Sequence, residues 1–187
     1  MAETTSTTTR KRALSVRRRL QERIAEEIRE LGVDPTAHLI ADMSGIEYYE
    51  RWLGPDEVTP PPPIAMVMPI DWLEVEPGRA VASLDPAEWM FNQIGALYGG
   101  ISATLLDTAL GAAVHSMLPG RTALATTDMQ VRYVRPLMAG AGRVIATGTS
   151  VHRGRRQATA EGRIVTEESG KLIATATAAY AIFEIPS

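Results

Sequence analysis

Apolar residues recur along this chain with two different periods. Leu20, Ile24, Ile28 and Leu31 keep to one face of a helix, and Gly32 followed by Asp34-Pro35 supplies a stop. Ser44-Gly-Ile-Glu47 predicts a capping box, in which the serine hydroxyl and the glutamate satisfy otherwise free backbone N–H groups. Ile46, Tyr49 and Leu53 share a face of the helix it opens, and Gly54-Pro55 ends it. The unbroken run Pro60 to Pro63 is extended polyproline II, a stiff lead-in to the core. Beyond it the period changes. Strands are predicted at Ile64–Val75 and Arg79–Leu84 around a Glu76-Pro77-Gly78 turn. Four more, rich in Val, Ile, Thr and Ala, are predicted at Ala123–Arg135, Ala141–Val151, Arg155–Thr166 and Lys171–Glu184.

Between the two groups lies Gly99–Leu118, where Ile101, Ala103, Leu105, Leu106, Ala109, Leu110, Ala112, Ala113 and Val114 surround the helix axis. A helix apolar on nearly every face is a buried helix. Two strands, one buried helix and four strands predict an α+β fold, an antiparallel sheet wrapped around a long central helix. The domain organisation expected is a disordered tail at 1–12, an N-terminal helical extension at 13–59 and the sheet-and-helix domain at 60–187.

Composition narrows the chemistry. The chain has 187 residues, 45% of them hydrophobic, enough for one core-bearing domain plus an extension. A net charge of −3 does not suggest a polyanion binder, so no nucleic-acid partner is expected. Six basic residues fall between Arg10 and Arg19 with no acid among them; a solvated helix end is the plainer reading than a patch for nucleic acid, anionic lipid or cofactor phosphates. The absence of cysteine removes disulfides, thiolate metal sites and cysteine nucleophiles. His38, His115 and His152 are far apart and show no ligand spacing, so no metal site is expected. No apolar window has the length of a membrane span or a secretory signal, and the expected location is cytoplasmic, with no membrane partner.

Asp107 is the residue that does not fit. An ionised carboxylate among Leu105, Leu106 and Leu110 costs several kcal/mol unless it is paired or opens on a cleft. One reading is that it accepts hydrogen bonds from a loop and fixes packing; the other is that it is a catalytic group. Gly99-Gly100, at the predicted helix start, allows close approach of a ligand to outward-pointing backbone N–H groups and to the positive end of the helix dipole. A base and an oxyanion donor together suggest acyl-group hydrolysis. Eight residues separate Gly99 from Asp107, about 12 Å at about 1.5 Å per residue, so one helix cannot bring both to one carbonyl. If the two cooperate, they do so between subunits related by a two-fold axis.

Asn92-Gln-Ile-Gly95-Ala-Leu-Tyr98-Gly99-Gly100, followed by six residues and Asp107, resembles the N-x-x-G-x-x-H-G-G-x6-D motif of the phenylacetate-pathway (PaaI-type) hotdog thioesterases. The likeness continues through Thr126-Thr-Asp-Met-Gln-Val-Arg-Tyr-Val-Arg-Pro136, His152-Arg-Gly-Arg-Arg156 and Gly170-Lys-Leu-Ile-Ala174. It implies a hotdog fold assembled as a homodimer or homotetramer, hydrolysing acyl-CoA thioesters without metal or cofactor. By matched position it implies that Asp107 is general base or nucleophile, that the Gly99 N–H polarises the carbonyl beside Gly100, and that Asn92 helps to hold that carbonyl. Thr126, or Thr127 if the local alignment slips by one, would position the attacking water, although both are also ordinary strand residues. Arg153, Arg155 and Arg156 resemble a basic turn near the CoA phosphates, which a solvated hairpin turn would equally explain; Arg132 and Arg135 are weaker candidates.

The chain departs from the pattern at Tyr98, which stands where the family has histidine: a larger donor that titrates near 10 instead of near 6.5. Gly111 stands where some hotdog thioesterases have threonine, leaving room beside the acid. Tyr98 motivates a second expectation, a non-hydrolytic hotdog protein that binds an acyl-CoA or a chain carried on acyl carrier protein. A hydratase or dehydratase on the same scaffold ranks below both, because no histidine lies near Asp107 in the motif.

Overall fold

The computed structural model describes residues 18–30, 42–54, 64 and 67–185. The expected tail, the stop after Leu31 and the proline run lie outside them. Helix α1 (residues 18–30) carries an Arg18–Glu22 ion pair of 2.9 Å at i,i+4 spacing, and only Ile24 and Ile28 are partly covered along it.

Helix α2 (Gly45–Leu53) opens with the predicted capping box, Ser44 accepting from the Glu47 N–H and the Glu47 carboxylate accepting from the Ser44 N–H at 2.7 Å. Tyr49 is buried on its inner face, while Leu53 remains exposed. Next come strands β1 (Ile70–Glu76) and β2 (Arg79–Leu84), helix α3 (Gly99–His115), and strands β3 (Thr122–Tyr133), β4 (Val144–Arg153), β5 (Gln157–Thr166) and β6 (Leu172–Glu184). All pairings are antiparallel, in the order β1-β2-β4-β5-β6-β3. The fold is the expected antiparallel sheet with a long helix packed against it.

Most of the later strands shift by one to three residues from the expected ranges, and two boundaries differ for a visible reason. β1 begins at Ile70 and not at Ile64, because the Val67 N–H bonds back to the Ile64 carbonyl, and Pro69, which has no N–H, precedes the strand. α3 ends at His115 and not at Leu118, where Ser116 takes over: its hydroxyl accepts from the Gly78 N–H at 2.9 Å and lies 3.0 Å from the Glu76 carbonyl. The end of the helix is thereby tied to the β1–β2 turn, whose Gly78 has φ +85°.

Period-2 alternation sends Ala174, Ala176, Ala178, Tyr180 and Ile182 of β6, and Ala158, Ala160 and Ile164 of β5, to the face that meets Leu105, Leu106, Leu110 and Val114 of α3. The alanines among them let the helix come close. Gly148 of β4 and Gly162 of β5 are directly paired. A β-carbon at either would collide with α3, at the Ala109 carbonyl or the Leu110 side chain respectively. At the far end of α3, Tyr48 and Tyr49 of α2 stack edge-on against His115, with ring centroids 5.9 and 5.6 Å away.

Candidate active site

The sheet does not cover α3 all round. Ala103, Thr104, Asp107, Thr108 and Gly111, spaced three and four apart, form a half-exposed stripe between buried neighbours. Asp107 is therefore not enclosed among leucines as the sequence suggests: Leu105, Leu106 and Leu110 point to the sheet, while Asp107 lies on the half-exposed stripe.

Its Oδ1 accepts a hydrogen bond of 2.9 Å from the Thr126 hydroxyl on β3. Thr127 goes elsewhere, donating to the Ala179 carbonyl at 3.1 Å. A bulge separates their roles, since pairing with β6 passes from Thr126↔Tyr180 to Asp128↔Ala179 and leaves Thr127 unpaired.

The approach to α3 is fixed by Asn92. Its Oδ1 accepts from the N–H groups of Ile94 and Ala96, both at 3.1 Å, closing a turn that includes Gly95 at φ +75°. The side-chain oxygen is thus committed to the loop, leaving the amide NH2 as the group able to reach a ligand. Leu97 and Tyr98 are then pinned by N–H bonds to the carbonyls of Leu137 and Met90. Tyr98 is the N-cap of α3 but makes no side-chain capping bond, and its ring is 63% exposed.

Among the described residues neither the Gly99 nor the Gly100 N–H has an acceptor, so both are available to an anion or a carbonyl oxygen. Tyr133, at the end of β3, donates from its hydroxyl to the Gly99 carbonyl at 2.9 Å. A β-carbon at position 99 would come within 3.2 Å of the Tyr133 ring, which accounts for the glycine. Gly99, Ser102, Tyr133, Val134 and Leu137 line a cavity of about 310 Å³ beside this helix start.

Arg153, Arg155 and Arg156 are exposed around the β4–β5 turn, and Arg155 and Arg156 line a cavity of about 810 Å³ with His152, Thr159 and Phe183. Ala158, Tyr180 and Thr126 form one row across β5, β6 and β3, so this turn stands two to three residues beyond the row that carries Thr126. That is roughly 7–10 Å at about 3.4 Å per residue. Arg132 points the other way, into a polar groove with Arg79 and Arg163 on the outer face of the sheet. Arg135 donates to the Leu172 carbonyl at 2.8 Å.

The structure thus joins Asp107 with Thr126, while Gly99 lies at the start of the same helix and Asn92 holds the loop that leads into it. Sequence reasoning missed Tyr133, which has no local signal and is found only where the end of β3 meets the start of α3.

Acyl-coenzyme A thioesterase 13 of Homo sapiens is 30% identical over 105 residues, covering 56% of this chain and 74% of that protein. Residues 94–173 match the Thioesterase superfamily. The chain belongs to the thioesterase superfamily. A protein of Halobacterium salinarum named provisionally as an esterase is 45% identical over 74 residues, 38% of this chain. That match spans about half of the relative's length, 47%. Among solved structures, a variant of the phenylacetic acid degradation protein PaaI from Thermus thermophilus superposes with a TM-score of 0.57 at 29% identity, covering 64% of this chain and 97% of that one. The superfamily match begins at Ile94 and so takes in Gly99, Asp107 and Thr126.

Proposed function

We propose that this thioesterase hydrolyses an acyl-CoA to the free acid and CoA at a site shared between two protomers. The observation that carries the reading is the Thr126–Asp107 hydrogen bond on the half-open stripe of α3. Asp107, as general base, takes a proton from water, and the hydroxide adds to the thioester carbonyl. Collapse of the tetrahedral intermediate breaks the C–S bond, and the departing thiolate takes up a proton. With Asp107 as nucleophile instead, its carboxylate displaces the CoA thiolate, which takes up a proton, to form an acyl-enzyme anhydride that water then cleaves to the free acid and the carboxylate. Thr126 orients the carboxylate or the water, while the Gly99 N–H, with Gly100 alongside and the Asn92 amide nearby, stabilises the oxyanion.

The separation of about 12 Å between Gly99 and Asp107 requires the oxyanion donors to come from a second protomer. β3 supports this arrangement, because it is a 12-residue edge strand whose outer side has no partner among the described residues. Tyr98, Tyr133 and Val134 add exposed apolar surface next to it. Two β3 edges meeting about a two-fold axis would join the sheets and bring the α3 stripes together, with Ala103 and Gly111 small enough for close approach. A homodimer is the smallest active unit, and a homotetramer would pair two of them. The Arg155–Arg156 cavity is where the CoA phosphates would lie, with Arg153 at its margin.

Hydrolysis measured over short, long and aromatic acyl-CoAs tests the reading. Asp107→Asn is expected to abolish turnover and to leave the oligomer intact; full activity in that variant would end the assignment. The second reading, a non-hydrolytic binder of acyl-CoA or acyl carrier protein, draws on Tyr98, and saturable binding without turnover of any panel member would favour it.

A further inference from the structure

Tyr180 contributes a buried polar group that the mechanism above does not use. It is 1% exposed, and its hydroxyl has no hydrogen-bond partner among the described residues. An unmet phenol in a core costs free energy, so a partner is expected. Its position says where to look. Tyr180 is directly opposite Thr126 in the β3–β6 ladder, and cross-strand partners point to the same face. Thr126 reaches Asp107, so Tyr180 also faces α3. It meets the helix one turn further on: a β-carbon at Gly111 would stand 4.0 Å from Cε1 of Tyr180. Gly111 is four residues beyond Asp107 on the same stripe and puts no side chain between the helix and the phenol.

We propose that the Tyr180 hydroxyl is a positioning group for Asp107, donating through one enclosed water beside Gly111 to the carboxylate oxygen that Thr126 does not occupy. The role rests on the acyl-CoA hydrolysis reading for its purpose, but not for its geometry. Thr126 and the water-linked Tyr180 would grip the two oxygens from adjacent strands, and Oδ2 would present its remaining lone pair to substrate water. Burial, with the Asp107 charge adding to it, pushes the Tyr180 phenol up, so it remains a donor throughout the working pH range. The other titratable groups against α3 are Tyr98 and Tyr133 at its start and His115, with Tyr48 and Tyr49 of α2, at its far end. β2, β4 and β5 present Ala, Leu, Val, Ile and Gly to it.

A thermal double-mutant cycle in the full chain tests the pairing whether or not turnover is found. Tyr180→Phe is expected to lower Tm by about 3 °C in the wild-type background and to leave Tm unchanged in an Asp107→Ala background. For hydrolysis, Tyr180→Phe is expected to reduce kcat about tenfold with KM unchanged. An equal Tm shift in both backgrounds, or a rise in Tm on removing the hydroxyl, overturns the proposal, as does a kcat within twofold of wild type in an active protein. Failure of every acyl-CoA to turn over would instead strike the function reading, with the thermal cycle still deciding the pairing.

Discussion

Residue by residue, the candidate site is two half-sites whose parts were legible to different degrees. Asp107 stood out because a carboxylate interrupts an apolar helix, and Gly99-Gly100 because paired glycines at a helix start have few other uses. The sequence misjudged how Asp107 is accommodated, since the open stripe of α3 emerges only when the strands are laid around the helix. Between Thr126 and Thr127 the sequence could not choose. Only one hydroxyl faces Asp107, and this gives a paired prediction. Thr126→Val should cut kcat by about tenfold or more, as expected for losing a hydrogen bond worth about 1.5 kcal/mol to a charged acceptor. Thr127→Val should leave kcat within about twofold. Steady-state kinetics on one good substrate compares the two.

Among the elements, all six strands and both central helices could be placed from periodicity, because alternation and helical spacing are local properties. The ends of β2 and α2 could be placed as well, but the start of β1 and the end of α3 could not, since Pro69 acts through a missing donor and Ser116 through bonds to residues distant in sequence. Tight packing of α3 on β4 and β5 was equally hidden. Gly148 and Gly162 look like weak points in strands, yet they are what lets the helix seat. Gly148→Ala should therefore destabilise the fold by about 1–3 kcal/mol, read from urea unfolding, although alanine is the better strand residue in isolation. At the other end of α3, burial pushes the His115 imidazole down. The unfolded chain then binds a proton near pH 6.5 that the folded chain resists. Stability is accordingly constant above about pH 6.5, falls as pH drops through that value, and levels off below the folded pKa. His115→Phe should remove that part of the slope in Tm measured between pH 8 and pH 5.

For the molecule as a whole, the proposed chemistry depends on an arrangement that a single chain cannot make. Asp107→Asn and Gly99→Pro, the latter removing an N–H at the first helical position, where the backbone tolerates proline and the Tyr133 ring must give by a few tenths of an ångström, should each be inactive alone. Refolded together, they should regain about a quarter of wild-type activity. Half of randomly paired dimers are mixed, and each mixed dimer holds one site with both groups intact. If no activity returns although mixed dimers form, both groups act within one protomer or not at all.

The bulge in β3 has a consequence for how this strand can change. Before Thr127, the even-numbered residues Leu124 and Thr126 turn inward; after it, the odd-numbered residues Met129, Val131 and Tyr133 do. The strand is read in two frames, one presenting a hydroxyl to the acid and the other filling the core and bracing Gly99. Deleting Thr127 alone would merge the frames, and whichever half kept its phase, the other would show its wrong side to the helix.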